Sequence, residues 1–179
     1  DGILFIDEAY SLAKNSDSND YGSEAIETIL KFMEDKRDRI SIIVAGYNEE
    51  MNNFIQSNPG LQSRFTNYYS FQNYKSHELT EIFNMYLVKE DYKITDYIIE
   101  NYIKYFINKF IKYTDPKSFG NGRSIRNIVN ELKIIQSQRI ANVENYKNKK
   151  DDFFRHILLK DVKNLYKKYK FKLPINKKN

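Results

Sequence analysis

A chain of 179 residues with a net charge of +5, 41% hydrophobic and 30% charged, has apolar content enough for one or two globular domains and too much for a disordered tail. It has no cysteine, which excludes disulfides and thiolate metal sites and is compatible with a reducing compartment such as cytoplasm, nucleus or organelle matrix. No apolar run approaches the ~20 residues that span a bilayer, so a soluble protein with no membrane partner is expected. The chain opens on Ile3-Leu4-Phe5-Ile6, which reads as a buried parallel strand, and this run ends in two adjacent carboxylates, Asp7-Glu8. Ala9 to Gly22 reads as a polar linker centred on Asn15-Ser16-Asp17-Ser18-Asn19-Asp20. From Ser23 to Arg37 the spacing of Ile26, Ile29, Leu30 and Met33 predicts a helix, with Ser23 as its N-cap. Ile40 to Ala45 is a second continuous apolar run, so strand, helix and strand make a βαβ unit.

Gly46-Tyr47-Asn48 follows at the carboxyl end of that strand, on the same rim as Asp7 and Glu8. Met51 to Ile55 reads as a short helix and Asn58-Pro59-Gly60 as a tight turn leading into Leu61-Gln62-Ser63-Arg64-Phe65. A third, shorter strand is expected around Tyr68 to Phe71. Beyond Asn73 the pattern is purely helical: Ser76 to Tyr86, Thr95 to Lys112, Asn121 to Ala141 and Asp151 to Tyr169 each carry one apolar stripe. In the last of these, Leu158, Val162, Leu165, Tyr166 and Tyr169 are expected to face inward. Four helices with short connections form a bundle. The fold class is therefore α/β followed by all-α, with residues 1–74 as an α/β piece and 75–179 as a helical domain with a basic tail.

Few residues carry chemistry. Carboxylates at the carboxyl end of a buried strand stand where open α/β sheets bind ligands, although a strand ending in solvated acids has the same sequence. Arg64 precedes the third expected strand at the surface; its guanidinium forks toward phosphate oxygens or makes a loose ion pair. Arg123 opens a helix, where the dipole and unpaired N–H groups already favour an anion, and Arg126 lies one turn further on the same face. His77 and His156 are far apart and without ligand spacing, so neither receives a role. The lysines at 167, 168, 170 and 172 read as a solvated face, and no nucleic-acid-reading motif accompanies them.

The hydrophobic strand ending in Asp7-Glu8 has the form of the Walker B motif of P-loop ATPases. Gly2-Ile3-Leu4-Phe5-Ile6-Asp7-Glu8-Ala9-Tyr10, Tyr21-Gly22, Met33-Glu34, Arg37-Asp38, Val44-Ala45-Gly46-Tyr47, Asn58 through Phe65, and Phe119-Gly120-Asn121-Gly122-Arg123 with Arg126-Asn127 together resemble the CbbX-type (CbxX/CfxQ) group of AAA+ ATPases. That group includes the activase of red-type Rubisco and the stage V sporulation protein K-like ATPases. The resemblance runs from residue 2 to about 170.

It implies the second half of an AAA+ module, with a four-helix lid. Its cofactors would be ATP and Mg²⁺, with Asp7 holding the metal through water and Glu8 polarising the attacking water. Arg64 would be the arginine finger, completing the site of a neighbouring subunit. Arg123 would be sensor 2, with Arg126 sharing or bracing it. Tyr47 takes the sensor 1 position, with Asn48 one residue beyond, and Tyr47 as a packing residue is the competing reading. Residues 13 to 21 would form the second pore loop of a hexameric ring, homomeric or built with related AAA+ subunits, that remodels an unnamed client protein. The phosphate-cradling G-x-x-x-x-G-K-[ST] loop occurs nowhere in the sequence, so an excerpt of a longer protein is expected. The strands near Ile3 and Ile40 would then expose apolar edges. Two other classes stand beside this reading. One is a non-hydrolysing AAA+-like regulatory or scaffolding subunit; the other is a basic nucleic-acid binder, whose affinity would depend steeply on salt.

Overall fold

A computed structural model describes residues 2–13, 21–116, 118–145 and 150–174. The chain divides into two compact units, Asp1–Phe71 and Gln72–Asn179. In the first, β1 (Gly2–Ile6) and β2 (Ile40–Val44) pair in parallel, with Ile6 opposite Val44. They are joined through a 3-10 turn (Ala9–Ala13) and α1 (Gly22–Asp35). Two further helices follow, α2 (Asn48–Gln56) and α3 (Pro59–Arg64). The buried core is Ala9, Ile26, Phe54, Ile55 and Leu61, with Ile6, Val44, Leu30 and Met51 packed against it. The core thus gathers around the carboxyl ends of both strands, and fixes their rim.

Several expectations need correction here. The strands are not buried on both sides. Ile3 is 72% and Phe5 58% exposed, because helices cover only the Ile6 and Val44 end and the sheet has two strands among the described residues. Tyr68 to Phe71 forms no strand: no ladder partner is present, and Phe71 is 94% exposed. The segment from Ala9 is not all linker, since Ala9–Ala13 is helical and Ala9 is fully buried. Ser23 is not the N-cap of α1; the helix begins one residue earlier, at Gly22, and Tyr21 supplies its first carbonyl, to Ala25 N. Asn58-Pro59-Gly60 is not a free turn but the start of α3. The Asn58 side chain accepts from Gly60 N at 2.7 Å and Pro59 occupies the first helical position, where its missing N–H costs nothing.

The second unit contains α4 (Ser76–Lys89), α5 (Tyr97–Tyr113), α6 (Gly122–Ala141), α7 (Asp151–Arg155) and α8 (Leu159–Lys168). The four longer helices close a ring of contacts, α4 on α5 and α6, and α8 on α5 and α6. Asp96 caps α5 through Ile98 N at 2.8 Å, and Glu78 accepts from Lys75 N at the start of α4. Their stripes meet in one core, with Leu79, Phe83, Ile103, Phe106, Ile125, Leu132, Val162 and Leu165 among its buried residues. Tyr166 is buried in it, and its hydroxyl donates to the Tyr102 carbonyl at 2.6 Å. Burial pushes that phenol well above its ordinary pKa, so it remains a neutral donor.

The single helix expected from Asp151 to Tyr169 is broken at His156–Leu158. Other groups take over the released backbone bonds. Lys93 N donates to Arg155 O and Ile157 N to Lys93 O, at 2.8 and 3.0 Å. Gln136 Nε2 reaches Phe154 O at 2.7 Å, and Arg139 Nη2 reaches His156 O at 3.1 Å. Asp161, fully buried, accepts from Leu158 N and from Arg139 Nε. The break turns Ile157 into the core and leaves Leu158 exposed, the reverse of the expected stripe.

Candidate active site

The carboxyl rim of the first unit departs from regular sheet geometry at the two acidic residues. A regular parallel ladder would send Glu8 N–H to the Ala45 carbonyl, after Ala45 N has donated to Ile6 O at 2.9 Å. Ala9 N makes that bond instead, at 3.1 Å. Asp7 and Glu8 therefore stand together opposite Ala45, as a one-residue bulge. The freed Glu8 N–H donates to Asp7 Oδ1 at 3.1 Å, and Glu8 has φ 52, a left-handed conformation that costs a non-glycine residue about 1–3 kcal/mol. The bulge turns the chain into the 3-10 segment, where Ser11 N donates to Glu8 O. Both carboxylates are exposed, and neither has an ion-pair partner among the described residues.

Gly46 locks this turn to the end of β2. A Cβ there would lie 2.8 Å from two ring carbons of Tyr10 and 2.9 Å from Met51 Sδ. Only glycine lets the Tyr10 ring approach. Tyr47 follows, exposed, at the N-cap of α2, giving its carbonyl to Met51 N but making no side-chain cap. Asn48 begins α2, and its Nδ2 lies 3.3 Å from Ser70 Oγ. The rim thus gathers Asp7, Glu8, Tyr47 and Asn48. Asp7 supplies one exposed carboxylate, hydrated Mg²⁺ on a polyphosphate is held by one or two, and among the described residues no group of three or more acids or histidines is placed to hold a metal by itself.

Arg64 ends α3 instead of following a turn, and no strand follows it. Its Nη2 lies 3.2 Å from Glu34 Oε2, while its Nε is buried without an acceptor. Glu34 belongs to one of the motifs quoted above but received no role from sequence; a carboxylate thirty residues away in the chain cannot be matched to an arginine without the fold.

Arg123 and Arg126 belong to the second unit, exposed on the first turns of α6. Among the described residues neither has a carboxylate within ion-pair distance. One expectation about this helix start fails. Arg123 N and Ser124 N donate to Gly120 O, and Ile125 N to Asn121 O, so these first-turn N–H groups are not free for an anion. What remains is the helix dipole and the two guanidiniums. Asn121, at φ 47, accepts from Tyr74 N at 3.0 Å and donates to Asn73 Oδ1 at 2.7 Å, which ties the start of α6 to the chain entering α4. The expected pore loop, residues 13 to 21, falls largely outside the described residues. Among the described residues no helix is long and apolar enough to cross a membrane.

Comparison with known proteins bears on both units. Residues 1–73 match the model of the ATPase family associated with various cellular activities (AAA), and residues 75–171 match the AAA lid domain. The chain is 44% identical over 147 residues to a CfxQ homolog of Galdieria sulphuraria, covering 80% of this chain and 46% of that protein. It is 39% identical over 139 residues to the chloroplastic ribulose bisphosphate carboxylase/oxygenase activase of Cyanidioschyzon merolae, covering 78% and 46%. With stage V sporulation protein K of Bacillus subtilis the identity is 39% over 145 residues, covering 81% and 44%. The chain spans about half the length of the curated relatives it matches.

Proposed function

The chain belongs to the AAA ATPase family, in the group of the CfxQ and CbbX proteins, and from that membership we propose that it forms the Walker B to lid portion of an ATP hydrolase working as a ring. Residues 1–74 are the later part of the nucleotide-binding subdomain and 75–179 its lid. The observation that carries the proposal is the Asp7-Glu8 bulge, which sets two exposed acidic residues, without an ion-pair partner among the described residues, at one position of a sheet rim at a cost in backbone strain. Strain of this kind persists where function needs it.

Asp7 would hold hydrated Mg²⁺, which when bound screens the phosphate charge. Glu8 orients the attacking water and accepts its proton as the oxygen bonds to the γ-phosphorus and the ADP oxygen leaves. Arg64 of a neighbouring subunit neutralises the charge that develops on the transferred group. Arg123, braced by Arg126, grips phosphate oxygens through its side chain, and Tyr47 or Asn48 orients water at the rim. The energy released moves the lid and remodels a client protein. The relative named as a ribulose bisphosphate carboxylase/oxygenase activase suggests an enzyme as that client. The test is Glu8→Gln in the intact ATPase. ATP binding should persist, because the charge at the metal comes chiefly from Asp7, while steady turnover falls by two orders of magnitude or more, on the order of a lost general base. Turnover near the unmutated rate would remove Glu8 from the mechanism.

A further inference from the structure

Arg64 is held by a half-made fork. Helix α3 lies so close to α1 that a Cβ on Gly60 would come within 2.8 Å of Leu30 Cδ1, and this approach brings Arg64 beside the last turn of α1. There Glu34 Oε2 meets Arg64 Nη2 at 3.2 Å, a single contact. A guanidinium and a carboxylate commonly meet through two parallel hydrogen bonds. Here Arg64 Nε is buried and has no acceptor. The Glu34 side chain is 62% exposed, so the contact is weak and readily exchanged. A buried N–H without an acceptor is a standing cost that a second acceptor would remove. The arrangement restrains the guanidinium at one nitrogen without saturating it, since a single contact engages one of its five N–H donors and leaves others to meet phosphate oxygens.

On these grounds, and resting on the proposed role of Arg64, we infer that Glu34 is a positioning residue for it. Its carboxylate holds the guanidinium at the orientation from which it engages phosphate oxygens, and it touches no substrate itself. In the intact ATPase, Glu34→Ala should lower kcat by about tenfold, the effect of a catalytic group loosened and not removed. KM for ATP and nucleotide-driven assembly should stay unchanged, since Glu34 does not contact the nucleotide. Glu34→Gln keeps an oxygen acceptor for Nη2 and should recover most of the lost turnover. Arg64→Ala, measured alongside, should lose far more than Glu34→Ala. The inference is overturned if Arg64→Ala is inactive while Glu34→Ala keeps its kcat, if the loss appears in KM, or if Gln is no better than Ala. An active Arg64→Ala variant would remove the role of Arg64 and the inference with it.

Discussion

Glu8 donates its amide to the side chain of its own neighbour, and that one bond decides how the rim presents its charges. Had the ladder run on without a bulge, alternate residues would point to opposite faces and the two carboxylates would separate. The bulge instead sets both residues opposite Ala45, which is compatible with the proposed division between a metal-holding and a water-activating acid. Arg64, by contrast, has one weak partner, the exposed Glu34, which is compatible with a group proposed to act outside its own subunit. If it acts across an interface, a Glu8→Gln subunit and an Arg64→Ala subunit, each inactive alone, should regain part of the turnover when mixed. The recovered sites are those that combine the intact Glu8 of one subunit with the intact Arg64 of its neighbour. Phosphate release by verified mixed rings measures this, and no recovery there would assign Arg64 to its own subunit or to none.

Helices α4, α5 and α6 were legible because each buries a stripe whose 3.6-residue period is written in the chain itself, as with Ile99, Tyr102, Ile103 and Phe106. The extended segment at Tyr68 to Phe71 was misread because its β-favouring residues become a strand only when a neighbouring strand supplies the ladder. The break at His156–Leu158 was invisible for a related reason. No glycine or proline marks it, and it is held by Lys93, Gln136 and Arg139, which lie distant in sequence. The site followed the same rule. Asp7 and Glu8 could be read as a motif, while the bulge and the Glu34 contact depend on partners in other elements. The buried Arg139–Asp161 pair, at 2.7 Å, is one of the supports of the helix break. Arg139→Met should therefore destabilise the second unit by about 3–5 kcal/mol, because it leaves a fully buried carboxylate without its cation. Urea unfolding followed by circular dichroism measures the shift, and a change below about 1 kcal/mol, the level of an exposed pair, would show that Asp161 is solvated.

Taken as whole bodies, the two units differ in how far they satisfy themselves. The second closes four helices around a continuous core in which Phe106 touches Phe110, Tyr166, Tyr169 and Phe171 through their rings. Such a core has the makings of an independently folding domain. Among the described residues the first unit buries five core residues and leaves Ile3, Phe5 and Ile43 in solvent on an uncharged sheet, the kind of surface that seeks another chain. Limited proteolysis of this chain should therefore cut within the first unit and leave a resistant fragment that begins near Gln72. ATP should not slow that cleavage, and the chain by itself should not hydrolyse ATP. The sequence holds no phosphate-cradling glycine-lysine loop, and the first-turn amides of Arg123, Ser124 and Ile125 are already engaged. Mass spectrometry of the fragments and a phosphate-release assay check both parts. Protection of the first unit by ATP, or turnover at an ordinary enzyme's rate, would mean that the residues described here bind the phosphates without such a loop.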